Sequence, residues 1–143
     1  MIQKAERIIE AYQKVKPAGC GVIAMDGRAA AGKTTLAEEL AVTLGGAVVH
    51  MDDFFLPGKL RTPERLAAPG GNVHAERFAE EVLPYLRRGE AFRYRRFDCH
   101  RMDYNGWTEI PPVPVIIVEG AYSQHPRFGG YADLTVFCDI APE

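Results

Sequence analysis

The run Gly27-Arg28-Ala29-Ala30-Ala31-Gly32-Lys33-Thr34-Thr35 satisfies the pattern G-x-x-x-x-G-K-[S/T] at every position. Its surroundings constrain the fold more than the run alone. Gly21-Val22-Ile23-Ala24-Met25, just before it, reads as a buried strand. Residues 33–44, just after it, carry Leu36, Ala37, Leu40, Ala41 and Leu44 on one helical face. Strand, glycine turn and helix in that order is the arrangement a phosphate-binding (Walker A) loop requires. Gly27 and Gly32 adopt backbone conformations that a side chain hinders. The backbone can then wrap a phosphate with its N–H groups turned inward as a nest. The N-terminus of the following helix adds donors and positive dipole potential. Gly27, Ala30, Ala31, Gly32, Lys33, Thr34 and Thr35 are therefore the candidate nucleotide-binding set. Lys33 is placed to reach the β- and γ-phosphates, Thr34 to hold Mg²⁺ and Thr35 to touch the α-phosphate. ATP and Mg²⁺ are the implied cofactors.

The remaining chain reads as alternating elements. Ile2, Ala5, Ile8, Ile9, Tyr12 and Val15 have helical spacing, and Pro17 and Gly19 end that helix. Gly45-Gly46 stops the helix that follows the loop, and Ala47-Val48-Val49-His50 is a short strand. Met51-Asp52-Asp53-Phe54-Phe55 is expected to continue extended, and residues 56–71, rich in Pro, Gly and Arg, to form a mobile loop. A helix is expected over residues 74–88, kinked or split at Pro84. Residues 92–97 alternate aromatic and arginine as a strand or extended hairpin. Val115-Ile116-Ile117-Val118 and Leu134-Thr135-Val136-Phe137-Cys138 are further buried strands. Buried strands separated by helices imply a parallel sheet covered on both faces. Ligands of such sheets bind at the carboxyl ends of the strands.

Composition narrows the class. With 143 residues the chain is long enough for one domain with a real core. A net charge of −2 and no basic tail give no sign of nucleic-acid binding. No apolar run is long enough to cross a membrane, and the amphipathic start does not read as a signal peptide. Cys20, Cys99 and Cys138 form neither a disulfide framework nor a zinc spacing, which fits a cytoplasmic protein. His50, His74, His100 and His125 are too scattered for a metal site.

Three acids fall at expected carboxyl ends of strands: Asp26, Asp52 with Asp53, and Glu119. Phosphoryl transfer needs positioning, a metal ion, charge stabilisation and often one base for the attacking hydroxyl. Glu119, ending an apolar strand and followed by Gly120, suits an acid that holds Mg²⁺ directly or through water. Asp52 or Asp53 suits the general base, with Asp52 the favoured one. Asp26 suits orienting the loop or Lys33. Each of these acids could instead simply cap a turn or helix.

Together, the phosphate loop, His50-Met51-Asp52-Asp53-Phe54-Phe55 and Val118-Glu119-Gly120 resemble the uridine kinase family of P-loop kinases, with phosphoribulokinase and bacterial pantothenate kinase as wider relatives. The resemblance covers almost the whole chain from Gly21 onward. It implies a three-layer αβα fold with a parallel central sheet, and one kinase domain over residues 1–143 with a substrate-binding region over 56–110. It implies ATP-dependent phosphorylation of a small-molecule hydroxyl, with a nucleoside such as uridine or cytidine as acceptor. By the same resemblance Asp52 takes the proton and Glu119 serves Mg²⁺. Arg93-Tyr94-Arg95-Arg96-Phe97-Asp98-Cys99-His100 resembles the segment that contacts the nucleoside, with Phe97 in place of a tyrosine. Asp53, His74, Phe97, Asp98, His100 and Tyr122 are the expected substrate-side residues.

Two departures stand out. The family's Asp-His-Pro, whose Asp binds ribose, corresponds here to Gly70-Gly71-Asn72-Val73-His74, which keeps only the histidine. The family's arginine-bearing lid follows a strand like residues 134–138, and the sequence stops at Glu143, so the lid and last elements are expected to be missing from a fragment. These departures leave two other readings: a kinase for another alcohol, pantothenate-like or a sugar, and a lid-less nucleotide-binding module without transfer. Arg61 is a further residue that could close on phosphate.

Overall fold

The sheet that organises the chain is parallel, and each of its strands is joined to the next one in it by a crossover and not by a tight hairpin. The computed structural model describes residues 2–15, 20–27, 33–67, 73–98, 100–120 and 131–138. Helix α1 (Ile2–Val15) precedes strand β1 (Gly21–Gly27), helix α2 (Lys33–Leu44) and strand β2 (Ala47–His50). Three single-turn 3₁₀ segments (Met51–Phe54, Gly58–Leu60 and Leu83–Tyr85) flank the short helices α3 (Pro63–Ala67) and α4 (Ala75–Glu81). Strands β3 (Phe92–Asp98) and β4 (Asp103–Ile110) form an antiparallel hairpin. Strands β5 (Val115–Glu119) and β6 (Leu134–Cys138) complete the main sheet, whose order is β2-β5-β1-β6 with every pairing parallel.

Alternation along the two central strands builds a core on each face. Ile23 and Met25 of β1 and Val115 and Ile117 of β5 pack with Ile8 and Tyr12 of α1 and Leu36, Ala37 and Leu40 of α2. Val22 of β1 and Ile116 and Val118 of β5 pack instead with Phe54, Phe78, Val82, Leu86 and Tyr94. One outer layer is thus α1 with α2, and the other is α4 with the β3–β4 hairpin. The α/β class with a parallel central sheet matches the sequence reading. All five residues of β5 are buried, as a strand covered on both faces requires.

Several local expectations are corrected. Residues 51–54 wind into a 3₁₀ turn instead of continuing extended, because buried Met51 and Phe54 both turn inward across it. Residues 56–67 are not an open loop: Leu56 and Pro57 are buried and the following residues form a 3₁₀ turn and α3. The helix expected over 74–88 is split as foreseen, into α4 and the turn at Leu83–Tyr85 that carries Pro84. Strand β4 had no sequence signal, since its residues Asp103, Asn105, Gly106, Trp107 and Glu109 are exposed and carry no apolar period.

The turn that ends β5 is tightly specified. Gly120 has φ of 134° and its N–H donates to the Met25 carbonyl at 2.9 Å. A Cβ built on it would stand 2.7 Å from the Met51 Cβ, a backbone-anchored atom that cannot swing away. Gly120→Ala is therefore expected to destabilise the protein by roughly 1–3 kcal/mol. Urea denaturation checks this, and an unchanged midpoint would show that the turn relaxes freely.

Candidate active site

The topology selects one end of the sheet. The chain leaves β1 toward β2 on one side, and leaves β5 toward β6 on the other, so the strand order reverses between β1 and β5. The crevice outside their carboxyl ends is the switch point where open α/β sheets bind ligands. Glu119 stands there. Its register partners are Met25 in β1 and His50 in β2, one residue before Asp26 and two before Asp52.

Glu119 is only 4% exposed. Its Oε1 lies 2.5 Å from His50 Nδ1, a length that marks a charge-assisted hydrogen bond. This bond raises the His50 pKa above its usual 6.5, while burial of the ring opposes the rise. The imidazole thereby backs the buried carboxylate from behind, and Asp26 lies half-buried at the end of β1.

The 3₁₀ turn gives its two adjacent acids different surroundings. Asp52 is exposed at the end of β2, whereas Asp53 is half-buried. The Tyr94 hydroxyl, on a fully buried ring, donates to Asp53 Oδ2 at 2.9 Å and accepts from the His50 N–H at 3.4 Å. Burial pushes the Asp53 pKa up, and the Tyr94 hydrogen bond only partly offsets it. Burial likewise pushes the Tyr94 phenol far up, so it stays a donor at neutral pH.

Behind this turn lies Arg77, only 2% exposed. Its Nη1 donates to the Arg95 carbonyl at 2.6 Å and to Glu81 Oε1 at 3.3 Å, and its Nη2 donates to the Asp53 carbonyl. The guanidinium lies over the Phe54 ring at 4.2 Å and the Tyr104 ring at 5.3 Å. Glu81 in turn accepts from the Arg95 backbone N–H and side chain at 2.8 to 3.0 Å. Burial pushes the Glu81 carboxyl up, but those Arg95 bonds and the Arg77 charge hold it below its ordinary range. Tyr94 and Arg77 went unremarked in the sequence as functional positions. Their only signal was an arginine facing inward on an amphipathic helix beside an inward tyrosine.

The other expected substrate-side residues sit around the hairpin. Phe97 is buried, parallel to Phe55 at 6.4 Å and edge-on to Tyr104 at 5.3 Å. Asp98 accepts from the His100 and Arg101 backbone N–H groups at 2.9 and 3.4 Å, closing the hairpin turn, and His100 is exposed on it. His74 donates its backbone N–H to the Phe54 carbonyl at 2.6 Å, and its buried Nδ1 has no hydrogen-bond partner. Arg93 covers exposed Trp107 at 4.3 Å. Ala30, Ala31, Gly32 and Tyr122, and the side chains of Lys33 and Thr34, lie outside the described residues, while Thr35 is exposed near the start of α2. Cys20 is a buried free thiol. No group of three His, Cys, Asp or Glu side chains among the described residues could cage a metal ion, and none of the described helices is long and apolar enough to cross a membrane.

Comparison with known proteins bears out the resemblance to P-loop kinases of the uridine kinase type at the level of fold. The structure superimposes on that of a possible uridine kinase from Bacillus stearothermophilus with a TM-score of 0.78 and 21% identity, covering 94% of this chain and 79% of the other. It superimposes on a candidate fructose transport system kinase from Silicibacter sp. TM1040 with a TM-score of 0.72 and 25% identity, covering 93% and 73%. In sequence it is 29% identical to a thymidylate kinase from Xanthomonas euvesicatoria pv. vesicatoria (strain 85-10) over 90% of the chain. The chain spans 60% of that curated relative's length. No family model matches the sequence.

Two outcomes are expected from this geometry. Arg77→Met leaves the Asp53 and Arg95 carbonyls without their buried donor and should cost roughly 2–5 kcal/mol of stability. A thermal or urea melt within experimental error of the wild type would refute that role. Burial, helped by the nearby Arg77 charge, holds the His74 pKa below 6.5, so folding opposes its protonation. Its contribution is present above the unfolded value of 6.5 and is lost as pH falls toward the depressed folded value. Between pH ~7 and ~5, unfolding free energy should therefore fall more steeply for the wild type than for His74→Gln. Parallel slopes would show that His74 titrates normally.

Proposed function

We propose that the chain transfers the terminal phosphoryl group of Mg²⁺-ATP to a hydroxyl of a small molecule. The observation that carries this reading is the convergence at one sheet end: Glu119 lies in register between the strand that enters the phosphate loop and the strand that leads into Asp52. Fold-level likeness to kinases supports it.

In this reading Gly27 to Thr35 hold the triphosphate, and Lys33 draws charge from the β- and γ-phosphates. The site suits Mg²⁺ in the way such kinases use it. Among the described residues it offers a buried carboxylate, Glu119, and no group of three ligands, which fits an ion that takes most of its ligands from phosphate and water. Glu119, directly or through water, and Thr34 would hold it. When bound, the ion neutralises charge on the transferring phosphoryl oxygens.

Asp52 takes the proton of the attacking hydroxyl. Its exposure leaves it open to an incoming acceptor, while Asp53, held by Tyr94 and pushed up by burial, fixes the turn that presents it. The region 56–110 forms the acceptor side. Phe55, Phe97 and Tyr104 offer an aromatic wall suited to a nucleoside base, with His74, Asp98, His100 and Tyr122 as further acceptor-side residues. A second reading, a different alcohol, is favoured by one observation. The Asp98 oxygen that could meet a nucleoside is engaged by the hairpin's own backbone.

Asp52→Asn should keep its ATP affinity and lose transfer by about 10²- to 10⁴-fold. Nucleotide binding by calorimetry and single-turnover transfer to a panel of nucleosides, sugars and hydroxy acids check this. Transfer at the wild-type rate would remove Asp52 from the base role, and failure to bind any nucleotide would overturn the kinase reading altogether.

A further inference from the structure

Among the arginines of the described acceptor side, Arg65, Arg77, Arg87 and Arg95 pair with a carboxylate. Arg65 is bidentate to Glu76 at 2.7 and 2.9 Å, Arg87 to Asp133 at 2.8 and 2.9 Å, and Arg95 to Glu81 at 2.8 and 3.0 Å. Arg77 reaches Glu81 and two carbonyls, although its Nε is also buried without an acceptor. Arg61 differs. Its Nη1 is buried and meets no hydrogen-bond acceptor, and no carboxylate among the described residues pairs with it.

Arg61 is nonetheless held in place. It ends the 3₁₀ turn at Gly58–Leu60, its backbone N–H donates to the Gly58 carbonyl at 3.1 Å, and neighbouring Leu56 and Pro57 are buried. Its guanidinium carbon lies 4.7 Å from the centroid of the Phe55 ring, three residues beyond Asp52. Phe55 pairs with Val73 by an isolated bridge, and the next residue, His74, carries a second buried nitrogen with no partner. An arginine nitrogen shut off from water with no acceptor costs free energy, and such a group in a folded protein calls for a missing ion or ligand. A planar guanidinium fork beside an aromatic ring suits a carboxylate or phosphate, which it binds in bidentate fashion.

We propose that Arg61, with Phe55 as floor, is an anion subsite of the acceptor side, and that the alcohol phosphorylated here carries a carboxylate or phosphate group. The proposal rests on the kinase reading only for calling the pocket the acceptor side. The anion itself is recognised by the orphaned guanidinium. The aromatic wall of Phe55 and Phe97 then serves the body of the acceptor, and Arg61 fixes its charged end while its hydroxyl is presented to Asp52.

The test is a nuclear magnetic resonance titration of the full chain, labelled with ¹⁵N and saturated with a non-hydrolysable ATP analogue so that the phosphate loop is filled. Inorganic phosphate and acetate are added separately. The Arg61 guanidinium signal should shift saturably with at least one of them, phosphate marking a phosphorylated acceptor and acetate a carboxylic one. Arg61→Met should weaken that binding by about tenfold or more, Arg61→Lys should retain part of it, and Arg65→Met should leave it unchanged. Shifts confined to the amides of the phosphate loop, or equal affinity in Arg61→Met, would overturn the subsite. Failure of the analogue to bind would instead count against the kinase reading, and the Arg61 signals would still report on the anion.

Discussion

A guanidinium with almost no solvent contact has to be met by fixed acceptors, and the way Arg77 is met holds the candidate site together. Its donors reach the carbonyls of Asp53 and Arg95 and the carboxylate of Glu81. Those three groups belong to the turn after β2, to strand β3 and to helix α4. Losing any one exposes a desolvated charge, so the three elements are bound to one geometry. Phe54 beneath the guanidinium and Tyr104 beside it add cation–π attraction that strengthens as water is excluded. The β3–β4 hairpin is not part of the main sheet, yet it is registered to the end of β2 through this one side chain and through Tyr94 on Asp53.

That coupling divides the site into two halves with different foundations. The phosphate half rests on the parallel sheet, where β5 is buried on both sides and Glu119 is fixed in register with Met25 and His50. The half proposed to hold the acceptor rests on short elements that pack Phe54, Phe78 and Tyr94 against the sheet and are joined by polar contacts. Sheet register is set by the backbone and tolerates side-chain change, whereas a polar network fails when one member is replaced. Under the proposed kinase reading, variation in acceptor choice is therefore easier to build into residues 56–110 than into the strands that flank the phosphate loop.

The sequence carried the sheet half clearly. Residues 21–25 and 115–118 are unbroken apolar runs, and the motif after the first has a spacing that few other structures tolerate. The acceptor half was legible only in part. The helix break at Pro84 follows from a covalent ring, and was foreseen. The 3₁₀ turn at residues 51–54 was not, because Met51 and Phe54 read equally well as alternate residues of an extended segment until their shared burial is known. Strand β4 was invisible because it is held by β3 and lacks an apolar face of its own. Arg77 was overlooked because a charged residue on a helix normally faces water. Only the acceptors converging on it from a strand and a turn distant in sequence make it a buried residue. The anchor loop itself, residues 28–32, and Tyr122 lie outside the described residues, so their sequence reading stands as an expectation.

The paired acids after β2 illustrate how such a fold assigns different work to adjacent identical residues. In an extended segment Asp52 and Asp53 would lie on opposite faces by simple alternation. In the 3₁₀ turn they lie about a third of a turn apart, and what separates them is solvent. Asp53 loses water and gains a phenol donor, and burial raises its pKa. Asp52 stays open to solvent. A base must be ionised and reachable, and a positioning residue must be neither mobile nor open, so the two requirements cannot be met by one carboxylate. The turn meets both at once because Met51 and Phe54, the residues on either side of the acids, are anchored in the core. If Asp52 is the base proposed above, its placement is a by-product of hydrophobic burial one residue away, and the Arg77 bond to the Asp53 carbonyl helps to hold the turn.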